Sequence, residues 1–264
     1  MQSGDYRCSR FIERLAIIFM PEAQTSRTSF ARKLLLIALA MIPLIGWGLW
    51  SNWLEQGRVH ELTEQLTHAD AEERARAASE LGKLGPAAKA AAPALVAVLQ
   101  DKQEKVRVFA ATALGRIGDE SSPTVSGLTQ ALADPRDPVR ASAALALSRF
   151  GPAARPAVAG LTRALRDDER RVRIYAAEAI WRITGEADAV VPVLVEVLSD
   201  RRQDVRFVAI TTLGHIGPAA DAAVPALILA LQDPDVDVRQ VAFEAIEQID
   251  PEAAKAVSGQ RGTP

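Results

Sequence analysis

Residues 200–217 read DRRQDVRFVAITTLGHIG, and close copies of this stretch recur along the chain. The copies begin at aspartates that are spaced by 33 residues, with no insertion or deletion between them: Asp101, Asp134, Asp167, Asp200 and Asp233. So strict a period is typical of a stacked array, in which each unit buries its apolar face against its neighbours. The charges and the histidine of residues 200–217 therefore have to be interpreted as parts of a repeat before they are considered as a catalytic cluster.

Each 33-residue unit is predicted to contain two helices. The unit that begins at Asp101 has four apolar residues at the spacing of one α-helical face: Val106, Ala110, Leu114 and Ile117. Gly118 follows, at the position where a helix commonly ends on a residue with positive φ. A short turn comes next, reading Gly-Pro-Ala-Ala in three of the units, and then a second helix with an inner pair of leucines.

The period extends beyond the five clear copies. Towards the N-terminus it gives a further unit that begins near residue 68 and, before that, a leading second helix in the stretch VHELTEQL. Towards the C-terminus, residues 251–264 lack the inner leucines and are predicted to be a polar tail. Few aromatic residues and abundant alanine also favour closely packed helices. The predicted fold is an all-α solenoid over residues 55–250.

A transmembrane signal-anchor helix is predicted at residues 34–54, after a basic tail of residues 1–33. The segment 34–50 has 17 residues without a charge, and extending it to residue 54 gives 21. At ~1.5 Å per residue these lengths are about 25 and about 31 Å, which bracket the thickness of a bilayer core. Three tryptophans lie at the far end of the segment, where indole rings favour the headgroup region.

Two other interpretations of residues 34–54 fit less well. Cleavage of a signal peptide after Ala40 would leave a hydrophobic region of only a few residues. A buried core helix does not explain the flanking basic residues and tryptophans. The run FIERLAIIFM at residues 11–20 is too short to span a bilayer; either it lies on the membrane surface, or translation starts at Met20.

Charge around the anchor predicts its orientation. Six basic residues precede the anchor, whereas Arg58 alone lies between the anchor and the first full repeat. Because short flanks rich in Lys and Arg stay in the cytoplasm, the N-terminus is expected to be cytoplasmic. The repeat domain is then expected in a bacterial periplasm or another extracytoplasmic space.

The pattern DxxxxVR…AAxALGxIG…PALxxAL, present in nearly every unit, resembles the HEAT-like repeats of phycobilisome lyases and of many bacterial scaffold proteins. The resemblance implies a ladder of hydrogen bonds between stacked units, made by the opening aspartate and the arginine six residues later. The matching pairs are Asp101 with Arg107, Asp134 with Arg140, Asp167 with Arg173, Asp200 with Arg206, and Asp233 with Arg239. This ladder predicts that Asp167→Ala or Arg173→Ala destabilises the fold, whereas Arg163→Ala does not.

Charge is uneven along the array and suggests a partner-binding region. Residues 136–173 hold nine arginines and four acidic residues, and residues 233–252 hold one arginine and seven acidic residues. Arg163, Arg166 and Arg170 are therefore the candidate partner-binding residues. One residue of each second helix is expected to be partly exposed, and together these residues form an outward column: Ala97, Gln130, Arg163, Glu196 and Leu229. The column is mixed in character, which favours a protein partner over a small molecule.

The sequence predicts no catalytic, cofactor-binding or metal-binding residues. It contains one cysteine and three histidines, and no phosphate-binding loop or nucleophile elbow. Helical-repeat hydroxylases of the deoxyhypusine type hold iron with several His-Glu pairs, whereas this chain has His60-Glu61 alone. His215 shares its repeat position with lysine, arginine and glutamine, which indicates a solvent-facing column.

These features predict a membrane-anchored scaffold for protein–protein interactions that is not an enzyme and has no small-molecule substrate. Residues 51–264 hold 25 basic and 30 acidic residues, and this excess of negative charge disfavours the binding of nucleic acid. The alternative is an accessory or chaperone-like subunit of a phycobilisome-lyase-like or other enzyme system. A third possibility is a piece of a larger enzyme system whose repeats dock another subunit.

Overall fold

The computed structural model describes the chain from residue 55 to residue 261, with side chains as far as residue 258. All regular elements in this range are helical, so the prediction of an all-α repeat solenoid is confirmed. The predicted basic tail of residues 1–33 and the predicted membrane helix of residues 34–54 lie outside the described residues. We number the repeats 1 to 6 from their opening residues, which are His68, Asp101, Asp134, Asp167, Asp200 and Asp233.

Two layers of helices make up the solenoid. The first helices of repeats 1 to 6 are α2 (Ala71–Leu84), α4 (Glu104–Ile117), α6 (Asp137–Phe150), α8 (Arg170–Thr184), α10 (Gln203–Ile216) and α12 (Val236–Ile249). The second layer contains α1 (residues 55–65), α3 (Ala92–Ala97), α5 (Ser122–Ala131), α7 (Val158–Ala164), α9 (Val191–Val197), α11 (Val224–Ala230) and α13 (Pro251–Arg261). Three of the repeats join their two helices through a 3₁₀ segment: Gly85–Ala91, Gly151–Ala157 and Gly217–Ala223.

The core lies between the two layers and is continuous along the array. The predicted apolar face of α4 is buried, as are the inner leucines of the second helices, including Leu95, Leu128, Leu161, Leu194 and Leu227. The leading helix α1 buries Val59 and Leu62 at the start of this core. Each repeat therefore completes its core with side chains from the next one, as the strict period requires.

Small residues let successive first helices approach closely. A Cβ atom added at Gly115 of α4 would lie 2.8 Å from the Cα atom of Ala146 in α6. The equivalent glycine in α2, Gly82, faces Ala113 of α4 at 3.0 Å. Both glycines lie inside helices, so their backbone conformation does not require glycine. The close contact between the two backbones does.

Repeat 4 departs from this arrangement because Trp181 occupies the position of Gly82 and Gly115. The indole is half-buried and packs against the core. α8 and α10 approach each other less than any other successive pair of first helices among the described residues. A bulky ring at the closest point between the helices accounts for this separation.

One helical stretch in the described part of the chain is long and apolar enough to cross a membrane by length and composition. It covers the 28 residues Gln203–Ala230, in which an 18-residue window reaches a mean hydropathy of 1.4. It consists of α10, the 3₁₀ segment and α11, and it turns at Gly217, where φ is 68°, and at Ala220, where φ is −101°. Its apolar residues include the inward faces of both helices of repeat 5, which is sufficient reason for its hydropathy.

The C-terminal residues differ from the expected tail. Helix α13 occupies most of residues 251–264. Asp250 accepts hydrogen bonds from the backbone N–H groups of Glu252 and Ala253, at 3.0 Å each, and so caps the helix. Ala254, a residue of this helix, is buried. The segment therefore forms a helix although it lacks the inner leucines of the other second helices.

Candidate partner-binding surface

Arginines six residues after the start of each repeat hold the repeats together. In four junctions, Nε and Nη2 of the arginine donate to the two carboxylate oxygens of the aspartate that opens the following repeat, at 2.7–2.9 Å. These pairs are Arg74–Asp101, Arg107–Asp134, Arg140–Asp167 and Arg206–Asp233. The carboxylate partner is thus 27 residues downstream and belongs to the next repeat.

Within a repeat, the same arginine contacts the main chain of the opening residue. Nη1 of Arg107, for example, donates to the carbonyl oxygen of Asp101 at 2.9 Å, and Arg173 and Arg239 make the same bond to Asp167 and Asp233. The structure therefore brings each predicted Asp–Arg pair together through the carbonyl group, while the carboxylate pair crosses the junction. Charge-assisted bidentate pairs of this kind fix geometry well.

Burial and hydrogen bonding shift the pKa values of three of the opening aspartates, Asp101, Asp167 and Asp233. The Arg74 guanidinium lowers the pKa of Asp101, and the Arg206 guanidinium does the same for Asp233. Burial alone would raise the pKa of Asp167, but the hydrogen bonds from Arg140 and from the backbone N–H of Glu169 outweigh it and lower that pKa. The carboxylates are consequently held in their charged form.

The junction between repeats 4 and 5 has a different set of partners. Arg173 of repeat 4 does not reach Asp200; its Nη2 donates to Glu196 at 3.3 Å, and its buried Nε donates to no acceptor among the described residues. Asp200 is instead bound by Nη1 of Arg170, at 2.7 Å, and by the backbone N–H of Arg202, also at 2.7 Å. Arg170, a predicted partner-binding residue, is therefore paired with the next repeat, with 38% of its side chain exposed.

Asp200 is the most strongly perturbed carboxyl group of the described chain. Its side chain is 3% exposed, and this burial would raise its pKa. The hydrogen bonds from the Arg202 backbone and from the side chains of Arg170 and Arg202 outweigh the burial and lower the pKa from 3.8 to about 2. The junction thus depends on an ionised Asp200.

This pKa predicts an acid-labile contribution to stability. A depressed pKa means that the stabilising contribution is complete above the unfolded value of 3.8 and is lost as pH falls towards about 2. Asp200→Asn should therefore reduce the loss of stability between these two pH values. Urea unfolding of the full chain in detergent, followed by circular dichroism at each pH, measures the effect, and an unchanged pH dependence in the variant would contradict it.

The remaining predicted partner-binding residues lie on the surface. Arg163 and Arg166 are exposed and have no carboxylate partner within the described residues. The five residues of the outward column of the second helices are also exposed, and Leu229 is 72% exposed. This column and the two arginines form one accessible surface, which we call the second-helix face: Ala97, Gln130, Arg163, Arg166, Glu196 and Leu229.

Two shallow cavities open along α5 and α7. The larger, of about 440 Å³, lies beside α5 and is lined by polar side chains that include Ser122, Ser126 and Gln130. A smaller one, of about 200 Å³, includes Arg163 and Asp167 in its lining. Both are open at the surface, which suits an extended segment of a partner.

No group of His, Cys, Asp and Glu within residues 55–261 could hold a metal ion. His215 is exposed, as are the residues at the same position of the other repeats: Lys83, Arg116, Arg149, Arg182 and Gln248. The prediction of a solvent-facing column at this position is confirmed.

The interrupted junction was missed by reasoning from the regular pattern. The signal was nevertheless present, since the column at this repeat position reads Gly82, Gly115, Ser148, Trp181 and Gly214. A tryptophan in a column of small residues predicts that two helices cannot approach closely. The loss of the Arg173–Asp200 pair follows from that separation.

The fold and its ladder define the class of protein: a helical repeat solenoid of the kind that typically binds other proteins. A family model for HEAT repeats matches residues 59–148, 125–198 and 191–257, which together cover most of the chain. The protein belongs to the HEAT-repeat family. No curated protein sequence matches it significantly.

Two solved structures with TM-scores above 0.5 support the same fold. An engineered protein is 24% identical and superposes with a TM-score of 0.52, over 75% of this chain and 97% of its own. A designed armadillo repeat protein in complex with the peptide (KR)4 is 20% identical, with a TM-score of 0.53, over 72% and 98% of the two chains. The CpcE–CpcF complex of phycocyanin lyase from Nostoc sp. PCC7120 is 26% identical, with a TM-score of 0.47, over 76% and 92%.

Proposed function

We propose that the protein is a membrane-anchored scaffold that binds another protein through the second-helix face and has no catalytic activity of its own. The observation that carries this proposal is the exposure of that face along successive repeats, in a chain of the HEAT-repeat family. Its side chains are small, polar, charged and apolar in turn, which suits a protein surface better than a small ligand.

Arg163 and Arg166 are the residues that we assign to partner recognition. Both are exposed and make no ion pair within the described residues, so that their charge is available to a partner of opposite sign. We omit Arg170 from this set because its Nη1 donates to Asp200. Residues 34–54 supply the anchor in this proposal, because their length, lack of charge and terminal tryptophans suit a bilayer.

Partner binding is tested by photocrosslinking in native membranes. A photoreactive residue placed at Gln130 should give a discrete crosslinked product, identified by mass spectrometry. That product should weaken with added salt and with Arg163→Glu combined with Arg166→Glu. Arg116→Glu is the control, because Arg116 is equally exposed but lies on the first-helix layer. A product that is indifferent to salt and to both arginines would contradict the assignment.

The orientation of the anchor is tested by C-terminal fusions in a bacterium. Alkaline phosphatase, which matures only after export, should be active, and a green fluorescent protein that fluoresces only in the cytoplasm should be dark. The reverse result would place the repeats in the cytoplasm. It would not affect the assignment of the second-helix face.

A further inference from the structure

The guanidinium group of Arg173 has an unfilled hydrogen-bonding edge. In the four regular junctions, the Nε and Nη2 atoms of the equivalent arginine hold one carboxylate together, as Arg140 holds Asp167 at 2.7 Å through each atom. The Arg173 Nε has no acceptor within the described residues. Its Nη2 has Glu196 alone, at 3.3 Å. The chain thus presents, in one repeat, a carboxylate-binding edge that lacks an acceptor at Nε and has a long contact to one mostly exposed carboxylate at Nη2.

The aspartate that would fill this edge is held elsewhere. Asp200 is buried and bound by Arg170 and Arg202, and Trp181 keeps α8 and α10 apart. A buried guanidinium N–H without an acceptor is unfavourable, because it has lost water and gained no partner. A carboxylate from outside the chain would satisfy it with the geometry that the sister junctions already show.

The approach to Arg173 runs along the second-helix face. Glu196, which contacts Nη2, belongs to the outward column of that face and its side chain is 69% exposed. The carbonyl of Asp167 accepts from Arg173, and Asp167 also lines the small cavity with Arg163. Arg166 immediately precedes Asp167 in the chain and is exposed. A ligand that displaces the Glu196 side chain therefore reaches Nη2 of Arg173 from the second-helix face, to which Arg163 and Arg166 also belong.

We propose that Arg173 is a binding site for a side-chain carboxylate of an acidic partner segment, with Arg163 and Arg166 steering that segment along the second-helix face. This inference rests on the proposed scaffold function and specifies the chemistry of the partner. An extended segment rich in Asp or Glu fits, because one carboxylate occupies the Arg173 edge and its neighbours meet the exposed arginines.

A labelled octaglutamate peptide is the probe, with binding to the full chain in detergent measured by fluorescence anisotropy. Arg173→Lys keeps the charge and a donor towards the Asp167 carbonyl but removes the paired edge, and we expect binding to weaken by about tenfold. Trp181→Gly restores a small residue at this position, so that Asp200 can pair with Nε and Nη2 of Arg173 and compete with the peptide. We expect this variant also to weaken binding.

Arg116→Lys, which changes an exposed arginine on the other layer, should leave the affinity unchanged. The inference is overturned if octaglutamate does not bind the native chain, or if binding depends on Arg163 and Arg166 but is unaffected by Arg173→Lys and Trp181→Gly. If binding depends on Arg163 and Arg166 alone, the scaffold proposal stands. If octaglutamate does not bind, the scaffold proposal is still decided independently by photocrosslinking at Gln130.

Discussion

Arg140→Met is expected to lower the free energy of unfolding by about 3 kcal/mol, because it leaves the Asp167 carboxylate buried without its charged partner. Both oxygens of Asp167 accept from Arg140 at 2.7 Å, and the two side chains are 17% and 11% exposed. Methionine keeps the length of the side chain but has no donor. Urea unfolding of the full chain in detergent measures the change.

Arg163→Met is the matched control for this loss. Arg163 is exposed and makes no ion pair in the described chain, so a change within about 0.5 kcal/mol is expected. Similar losses in the two variants would show that removal of any arginine from this region is destabilising, and that the ladder has no special role.

Gly115→Ala is expected to destabilise the array by about 1–3 kcal/mol, although alanine is a better helix former than glycine. The added methyl group would lie 2.8 Å from the Cα atom of Ala146, which is backbone and cannot rotate away. α4 and α6 must therefore separate. Thermal unfolding monitored by circular dichroism measures the effect.

Gly57→Ala provides the comparison, because Gly57 is helical and has no atom within 4 Å of an added Cβ. This change should leave stability unchanged or raise it by up to about 1 kcal/mol. If Gly115→Ala also proves stabilising, close approach of the first helices is not what holds successive repeats together.

Much of the fold could be predicted because the same physical solution recurs every 33 residues. The face of α4 that contains Val106 and Leu114, and the glycines that end the first helices, were identified from spacing alone. Leu62 and Leu66 extended the array back to α1 by the same arithmetic. Because the same pattern recurs in every unit, each assignment of a helix is supported by several copies.

The register of the ladder could not be obtained from the sequence. An arginine six residues after its own aspartate is also 27 residues before the next one, and a 33-residue period contains both spacings. Which carboxylate the side chain reaches depends on how the repeats stack. The structure shows that Arg107 reaches forward to Asp134 and touches Asp101 only through its carbonyl oxygen.

The use of Arg170 was also beyond the sequence. Its place in the arginine-rich stretch of residues 136–173 made it a candidate for partner binding, yet it binds Asp200, which Arg173 does not reach. The separation of α8 and α10 by Trp181 decides between these two arginines. The expectation that Arg173→Ala destabilises the fold by breaking a ladder pair is revised accordingly, since no carboxylate of the following repeat binds Arg173.

Double-mutant cycles test the interrupted ladder most directly. In one cycle Arg140→Met and Asp167→Asn are made singly and together; in the other, Arg173→Met and Asp200→Asn. We predict a coupling free energy of about 2 kcal/mol for the first pair and less than about 0.5 kcal/mol for the second. Equal couplings in the two cycles would mean that Arg173 and Asp200 form an ordinary rung, and would contradict the account.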